Sequence, residues 1–154
     1  MIQENEKAPD FKLKDQGGNT VRLKDFAGKP LVLYFYPRDD TPGCTTEACS
    51  FRDDYSIYKE MGAEIVGVSA DDEESHTKFV KKYDLPFTLL ADTDHEVCEK
   101  YGVWVKKNKF GKEYYGIKRT TFLIDGDRKV AKVFEGVKPA SHSAEVIEAV
   151  RELA

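Results

Sequence analysis

Leu31-Val32-Leu33-Tyr34-Phe35-Tyr36-Pro37-Arg38-Asp39-Asp40-Thr41-Pro42-Gly43-Cys44 is the stretch on which the fold turns. Its first six residues form an unbroken apolar run, the pattern of a strand buried on both faces of a sheet. Pro37 has no N–H to give a ladder and stops it. Thr41 then offers a helix N-cap. Pro42 takes the first helical position, where a missing N–H costs nothing. Beyond them Cys44, Ala48, Phe51, Tyr55 and Tyr58 recur at steps of 4, 3, 4 and 3 residues. That spacing predicts one face of a helix, closed by Gly62.

The same unit repeats outward. Ala63-Glu64-Ile65-Val66-Gly67-Val68 reads as a second buried strand. His76, Phe79, Val80 and Tyr83 mark the next helix. Phe87–Leu90 is a short strand, and Val97, Cys98 and Tyr101 mark a short helix closed by Gly102. On the N-terminal side, Phe11–Lys14 and Thr20–Leu23 flank Gln16-Gly17-Gly18-Asn19 as a hairpin. On the C-terminal side, Thr120–Ile124 and Lys129–Phe134 flank Asp125-Gly126-Asp127, and Val146, Ile147, Val150 and Leu153 give a last helix. Buried strands alternating with helices predict an α/β fold, a sheet with helices on both faces. The final hairpin and helix suit a thioredoxin-like core.

At 154 residues the chain is expected to form one domain spanning 1–154. Apolar residues make up 40%, enough for a core, and charged residues 34%. No apolar run reaches the roughly 18 residues of a membrane span. A net charge of -4 argues against nucleic acid as a partner. The start, Met1-Ile2-Gln3-Glu4-Asn5-Glu6, lacks the apolar segment of a secretory signal, so a reducing cytoplasm is the expected compartment. Three cysteines is an odd count, too low for a disulfide-stapled scaffold.

Those cysteines differ in setting. With Thr41 as N-cap, Cys44 lies in the first helical turn, where unpaired N–H groups and the helix dipole favour the thiolate, which is the nucleophilic form. The preceding strand delivers it to the carboxyl edge of the sheet, where open α/β sheets place their sites. Cys49 lies about 140° around the helix from Cys44, off the apolar stripe. It shares its flank with Asp53, Ser56 and Glu60. In an intact helix the two Cα atoms would stand about 8.7 Å apart, beyond the roughly 4.4–6.8 Å of a disulfide. A reaction between them therefore requires the helix start to unwind. Cys98, beside Val97 and Tyr101, reads as a small buried hydrophobe.

His76, His95 and His142 fall on separate elements, and none has metal-ligand spacing to a Cys or another His. His76 shares a face with Phe79 and reads as a packed or half-exposed side chain rather than a ligand. Lys106-Lys107-Asn108-Lys109, just before Gly111, reads as a solvated hairpin tip. No Gly-rich phosphate loop and no Gly-x-Ser-x-Gly turn is present. Arg119 opens the apolar strand Thr120–Ile124. It either reaches to solvent or is the electrostatic partner of a site.

Pro37-Arg38-Asp39-Asp40-Thr41-Pro42-Gly43-Cys44 resembles the peroxiredoxin motif Pro-x-x-x-Thr-x-x-Cys. Thr41-Pro42-Gly43-Cys44-Thr45-Thr46-Glu47-Ala48-Cys49-Ser50-Phe51-Arg52-Asp53 is similar to its bacterioferritin-comigratory, or Q-type, branch. Arg119-Thr120-Thr121-Phe122-Leu123-Ile124-Asp125 resembles that family's Arg-bearing strand. The resemblance implies a thioredoxin-like fold with an N-terminal β-hairpin extension and a central mixed sheet flanked by helices. It implies a thiol-dependent peroxidase acting on hydrogen peroxide and organic hydroperoxides. Cys44 would be the attacked cysteine. Thr41 would hydrogen-bond the peroxide and the thiolate, Arg119 would hold the thiolate and polarise the O–O bond, and Pro37 would shield the site from water. Gly43, Thr41, Cys44 and Arg119 would bind the substrate. Cys49 would be the resolving cysteine. Val80 stands where some relatives carry that cysteine instead. Thioredoxin or a glutaredoxin-like dithiol would be the reductant, no metal, flavin or haem would be needed, and a monomer would suffice.

The competing reading is a thioredoxin-like thiol-disulfide oxidoreductase. It expects Cys-x-x-Cys and a proline opposite the active cysteine. Here the spacing is Cys-x-x-x-x-Cys, and Lys118-Arg119-Thr120-Thr121 holds no proline. A copper-handling relative of that fold would want Cys-x-x-x-Cys, also absent. A holdase side role stays open.

Overall fold

The computed structural model describes residues 1–153. Ala154, the last residue of the expected domain, lies outside them. The elements are β1 (Lys12–Asp15), β2 (Thr20–Arg22), a 3-10 turn (Leu23–Phe26), β3 (Leu31–Phe35), α1 (Pro42–Asp53), α2 (Tyr55–Glu60), β4 (Glu64–Ser69), α3 (Glu73–Tyr83), β5 (Thr88–Ala91) and α4 (Glu96–Tyr101). They continue with β6 (Trp104–Lys109), β7 (Lys112–Ile117), β8 (Thr120–Ile124), β9 (Val130–Phe134) and α5 (His142–Glu152).

Seven strands form one sheet in the order β2-β1-β5-β4-β3-β8-β9. β3, β4 and β5 are parallel, while β8, β9, β1 and β2 are antiparallel, so the sheet is mixed. β3 lies between β4 and β8, with Leu33 opposite Val66 on one side and Phe122 on the other. Every residue of β3 is buried, which is why its sequence shows no polar alternation. Val32, Tyr34 and Tyr36 face a core shared with α1, α2, α3 and α5. Leu31, Leu33 and Phe35 face a second core with Val97, Cys98 and Tyr101 of α4. At Gly67 of β4 a Cβ would stand 2.8 Å from the Tyr34 ring and from Leu89 Cδ2, so the glycine makes room for that ring on the sheet.

Two expectations need correction. The helix expected from Pro42 to Gly62 is two helices. At Asp54 (φ -99°, ψ 4°) the chain leaves helical geometry. The Ser143 hydroxyl donates to Asp54 Oδ2 at 2.7 Å, and the Tyr58 hydroxyl donates to the Ser143 carbonyl at 3.0 Å, so the break docks the segment onto α5. The basic run Lys106–Lys109 is not a tip. It lies within β6, which pairs with β7 as a separate two-stranded sheet, and the turn is Phe110-Gly111. Among the described residues no helix is long and apolar enough to cross a membrane.

Candidate active site

The β3 strand ends at the carboxyl edge of its parallel neighbours, and the segment Tyr36–Thr41 carries the chain into α1. The first intrahelical bond runs from the Thr45 N–H to the Thr41 carbonyl at 2.8 Å. The N–H groups of Gly43 and Cys44 therefore have no acceptor inside the helix. Cys44 is buried, 1% exposed. From the opening of β8, Arg119 reaches across. Its Nη2 donates to Cys44 Sγ at 3.4 Å, and its Nη1 donates to Glu47 Oε1 at 2.7 Å. Of the two readings of Arg119 left open by the sequence, the structure selects the electrostatic partner.

Gly43 makes that reach possible. A Cβ there would stand 3.1 Å from Arg119 Nη2. Burial opposes the charge on Arg119, but the carboxylate of Glu47 and the Cys44 sulfur outweigh it and raise its pKa. Glu47 is itself buried, with Oε2 unpartnered among the described residues. Its burial, partly offset by Arg119, pushes its carboxyl up to about 7. The Tyr34 hydroxyl, also unpartnered, is held protonated by burial and by the neighbouring Glu47 and Cys44.

Thr41 and Pro37 are half-buried in the segment that leads into α1. The Thr41 hydroxyl donates to the Arg38 carbonyl at 2.9 Å rather than to Cys44. Its oxygen keeps acceptor capacity, but its hydrogen is committed. Cys49 is half-buried, a free thiol on the same unbroken helix as Cys44, lining a surface groove with Thr45, Thr46, Ser50, Asp53 and Ala140. Cys98 is apart from both. It is buried in the opposite core, and burial together with Asp92 pushes its thiol far up, which disfavours the thiolate.

Three features go beyond the sequence expectations. Glu47, quoted above only as part of the motif, faces Arg119 from one turn beyond Cys44. Lys107, through the β6–β7 hairpin, lies close enough for its ammonium to be lowered by burial and by Arg119 and partly restored by Cys44. His76 is fully buried, and its Nδ1 stands 2.7 Å from Asp39 Oδ2 and its Nε2 2.9 Å from the Leu90 carbonyl. The clue was available: a histidine on an apolar face must satisfy both ring nitrogens. Asp39, Asp71 and His76 bring their ligand-type atoms within 4.8 Å of one another. They are engaged with one another and with Ser69, Ser75 and Tyr36, as an internal hydrogen-bond network is.

The sequence profile of the AhpC/TSA family matches residues 5–133. Peroxiredoxin Bcp of Bacillus subtilis (strain 168) is 49% identical over 152 residues, covering 99% of this chain and 97% of that protein. The solved structure of peroxidoxin BcpB from Mycobacterium tuberculosis superposes with a TM-score of 0.90 at 36% identity, covering 100% of this chain and 99% of the other. The bacterioferritin comigratory protein of Xanthomonas campestris, described by its alkyl peroxide reduction activity, superposes with a TM-score of 0.88 at 38% identity over 93% and 91%. A buried cysteine in the first turn of a helix, an arginine on its sulfur and these full-length likenesses agree: the chain belongs to the AhpC/TSA family, among its Bcp-type peroxiredoxins.

Proposed function

We propose that this peroxiredoxin reduces hydrogen peroxide and organic hydroperoxides with Cys44 as the attacking thiolate. The observation that carries this reading is the Arg119 Nη2 donor 3.4 Å from a buried sulfur in the first turn of a helix. The reading is supported by the alkyl peroxide reduction ascribed to the Xanthomonas campestris relative. The thiolate forms an S–O bond to one peroxide oxygen as the O–O bond breaks, and the departing hydroxide or alkoxide takes a proton to leave as water or alcohol. Cys44 is left as a sulfenic acid. Arg119 and the free Gly43 and Cys44 N–H groups are donors fixed where negative charge moves from sulfur to the leaving oxygen. Thr41 contacts the peroxide after its hydroxyl turns from the Arg38 carbonyl. Pro37 limits water at the rim.

Cys49 then attacks the sulfenic sulfur, forming the Cys44–Cys49 disulfide and releasing water. The pair lies on one helix, so the first turns of α1 unwind to bring the sulfurs together. An external dithiol, thioredoxin or glutaredoxin-like, reduces the bond by exchange. An intrachain pair needs no second subunit, so the functional unit is a monomer in a reducing compartment. The test is Cys44→Ser. It abolishes dithiol-driven peroxide consumption, and a variant that still turns over peroxide overturns the assignment.

A further inference from the structure

The segment Arg38–Asp40 reads in the family motif as spacer between Pro37 and Thr41, yet this chain fastens each of its residues. The Arg38 carbonyl takes the Thr41 hydroxyl. The Asp39 N–H donates to Asp71 Oδ2 at 2.8 Å. Asp40, with a left-handed φ of 54°, takes Lys82 Nζ and the Tyr83 hydroxyl, both at 2.8 Å, on its two carboxylate oxygens. The centre of the fastening is the Asp39 carboxylate, which is almost fully buried. It accepts from the Tyr36 hydroxyl at 2.5 Å and from the Ser75 hydroxyl at 2.7 Å, and it faces His76 Nδ1 at 2.7 Å.

The protonation of that ring follows from its partners. The Leu90 carbonyl can only accept, so Nε2 carries a hydrogen. Nδ1 faces an acceptor that already has two other donors. A lone pair there would confront the carboxylate across 2.7 Å, so Nδ1 carries the second hydrogen. We propose that the buried Asp39 carboxylate and His76 imidazolium are positioning residues for peroxide reduction. Together they fix, from behind, the loop that presents Thr41 to the peroxide beside Cys44. The proposal rests on the reading of Cys44 as the attacked sulfur.

The groups facing the ring are Asp39 from the loop, Tyr36 from the end of β3, Asp71 from the turn after β4, Ser75 from its own helix and the Leu90 carbonyl from β5. Burial lowers His76, but the Asp39 hydrogen bond and charge, the Leu90 carbonyl and Asp71 outweigh it, and the net shift is upward. The fastening is therefore complete below that raised value. It loosens as pH rises through the raised value and the ring becomes neutral beside a carboxylate.

The test uses the reduced full chain with hydrogen peroxide and, separately, with iodoacetamide, which alkylates a thiolate without needing Thr41 placed for a peroxide. In His76→Gln the carboxylate loses its cationic partner. The single-turnover rate constant with peroxide falls about tenfold to a hundredfold while that with iodoacetamide stays within about twofold. Asp39→Asn is the conservative variant. Its amide donates to a neutral Nδ1 and keeps the loop in place without the buried proton. As pH rises through the point where nitrogen NMR shows the His76 ring losing its second proton, the peroxide-to-iodoacetamide ratio falls in wild type and stays level in Asp39→Asn. A His76 ring that loses its second proton at or below the ordinary histidine value overturns the proposal. So does an equal fall with both reagents in His76→Gln, or a shared pH profile in wild type and Asp39→Asn. Failure of the underlying peroxidase reading looks different: wild-type Cys44 would be alkylated but would not react with peroxide.

Discussion

A single hydrogen atom at residue 43 decides how closely a guanidinium can approach the reactive sulfur. In Gly43→Ala the added methyl would stand 3.1 Å from Arg119 Nη2 and force it to shift. The expected result is a fall of about tenfold to a hundredfold in the rate of Cys44 oxidation by peroxide, with an unchanged circular dichroism spectrum. An unaffected rate would mean that Arg119 acts without touching Cys44. The other cysteines separate in the same way. Cys49→Ser is expected to consume one equivalent of peroxide and stop at the sulfenic acid unless an outside thiol resolves it, as intact-protein mass would show. Cys98→Ser, in the opposite core, is expected to leave turnover nearly unchanged.

Elements set what the residues can do. The β3–α1 unit was legible because an apolar run, Pro37, Thr41 and Pro42 each have a local physical meaning. The break at Asp54 was not, because its cause is Ser143, 89 residues away in sequence. The strands of the β6–β7 hairpin were not legible, and the basic run was read as its tip, because the hairpin packs little. Four consecutive exposed residues in β7 leave no buried alternation to read. Within the site, Cys44 and Arg119 were legible from motif and position. Glu47 and the Asp39–His76 pair were not, since only the tertiary fold decides which polar side chains are buried. Helix α1 also carries a mechanical prediction. Formation of the Cys44–Cys49 bond is expected to strip amide-exchange protection from residues 42–50 and to leave α3 and α5 protected. An unchanged exchange profile in a disulfide-bonded sample would contradict the unwinding step.

Across the whole molecule, the buried Glu47 carboxyl links the site to stability. Its folded value of about 7 lies above the ordinary 4.5. Between those two values the folded state holds a proton that the unfolded state has released, so this group's contribution is complete below about 4.5 and is lost as pH rises towards 7. Glu47→Gln removes the titration and keeps an acceptor for Arg119. Relative to wild type, the variant is expected to gain unfolding free energy across that window, as denaturant titrations at several pH values would show. A flat or falling difference would contradict the buried placement of the carboxyl. The central claim of a transient Cys44–Cys49 couple with a bystander Cys98 is tested most directly by one measurement. Reduced protein receives one equivalent of hydrogen peroxide, and its peptides are mapped by mass under non-reducing conditions. The account predicts a Cys44–Cys49 linkage within one chain and a free Cys98. A Cys44–Cys98 linkage, or a bridge between chains, would contradict it.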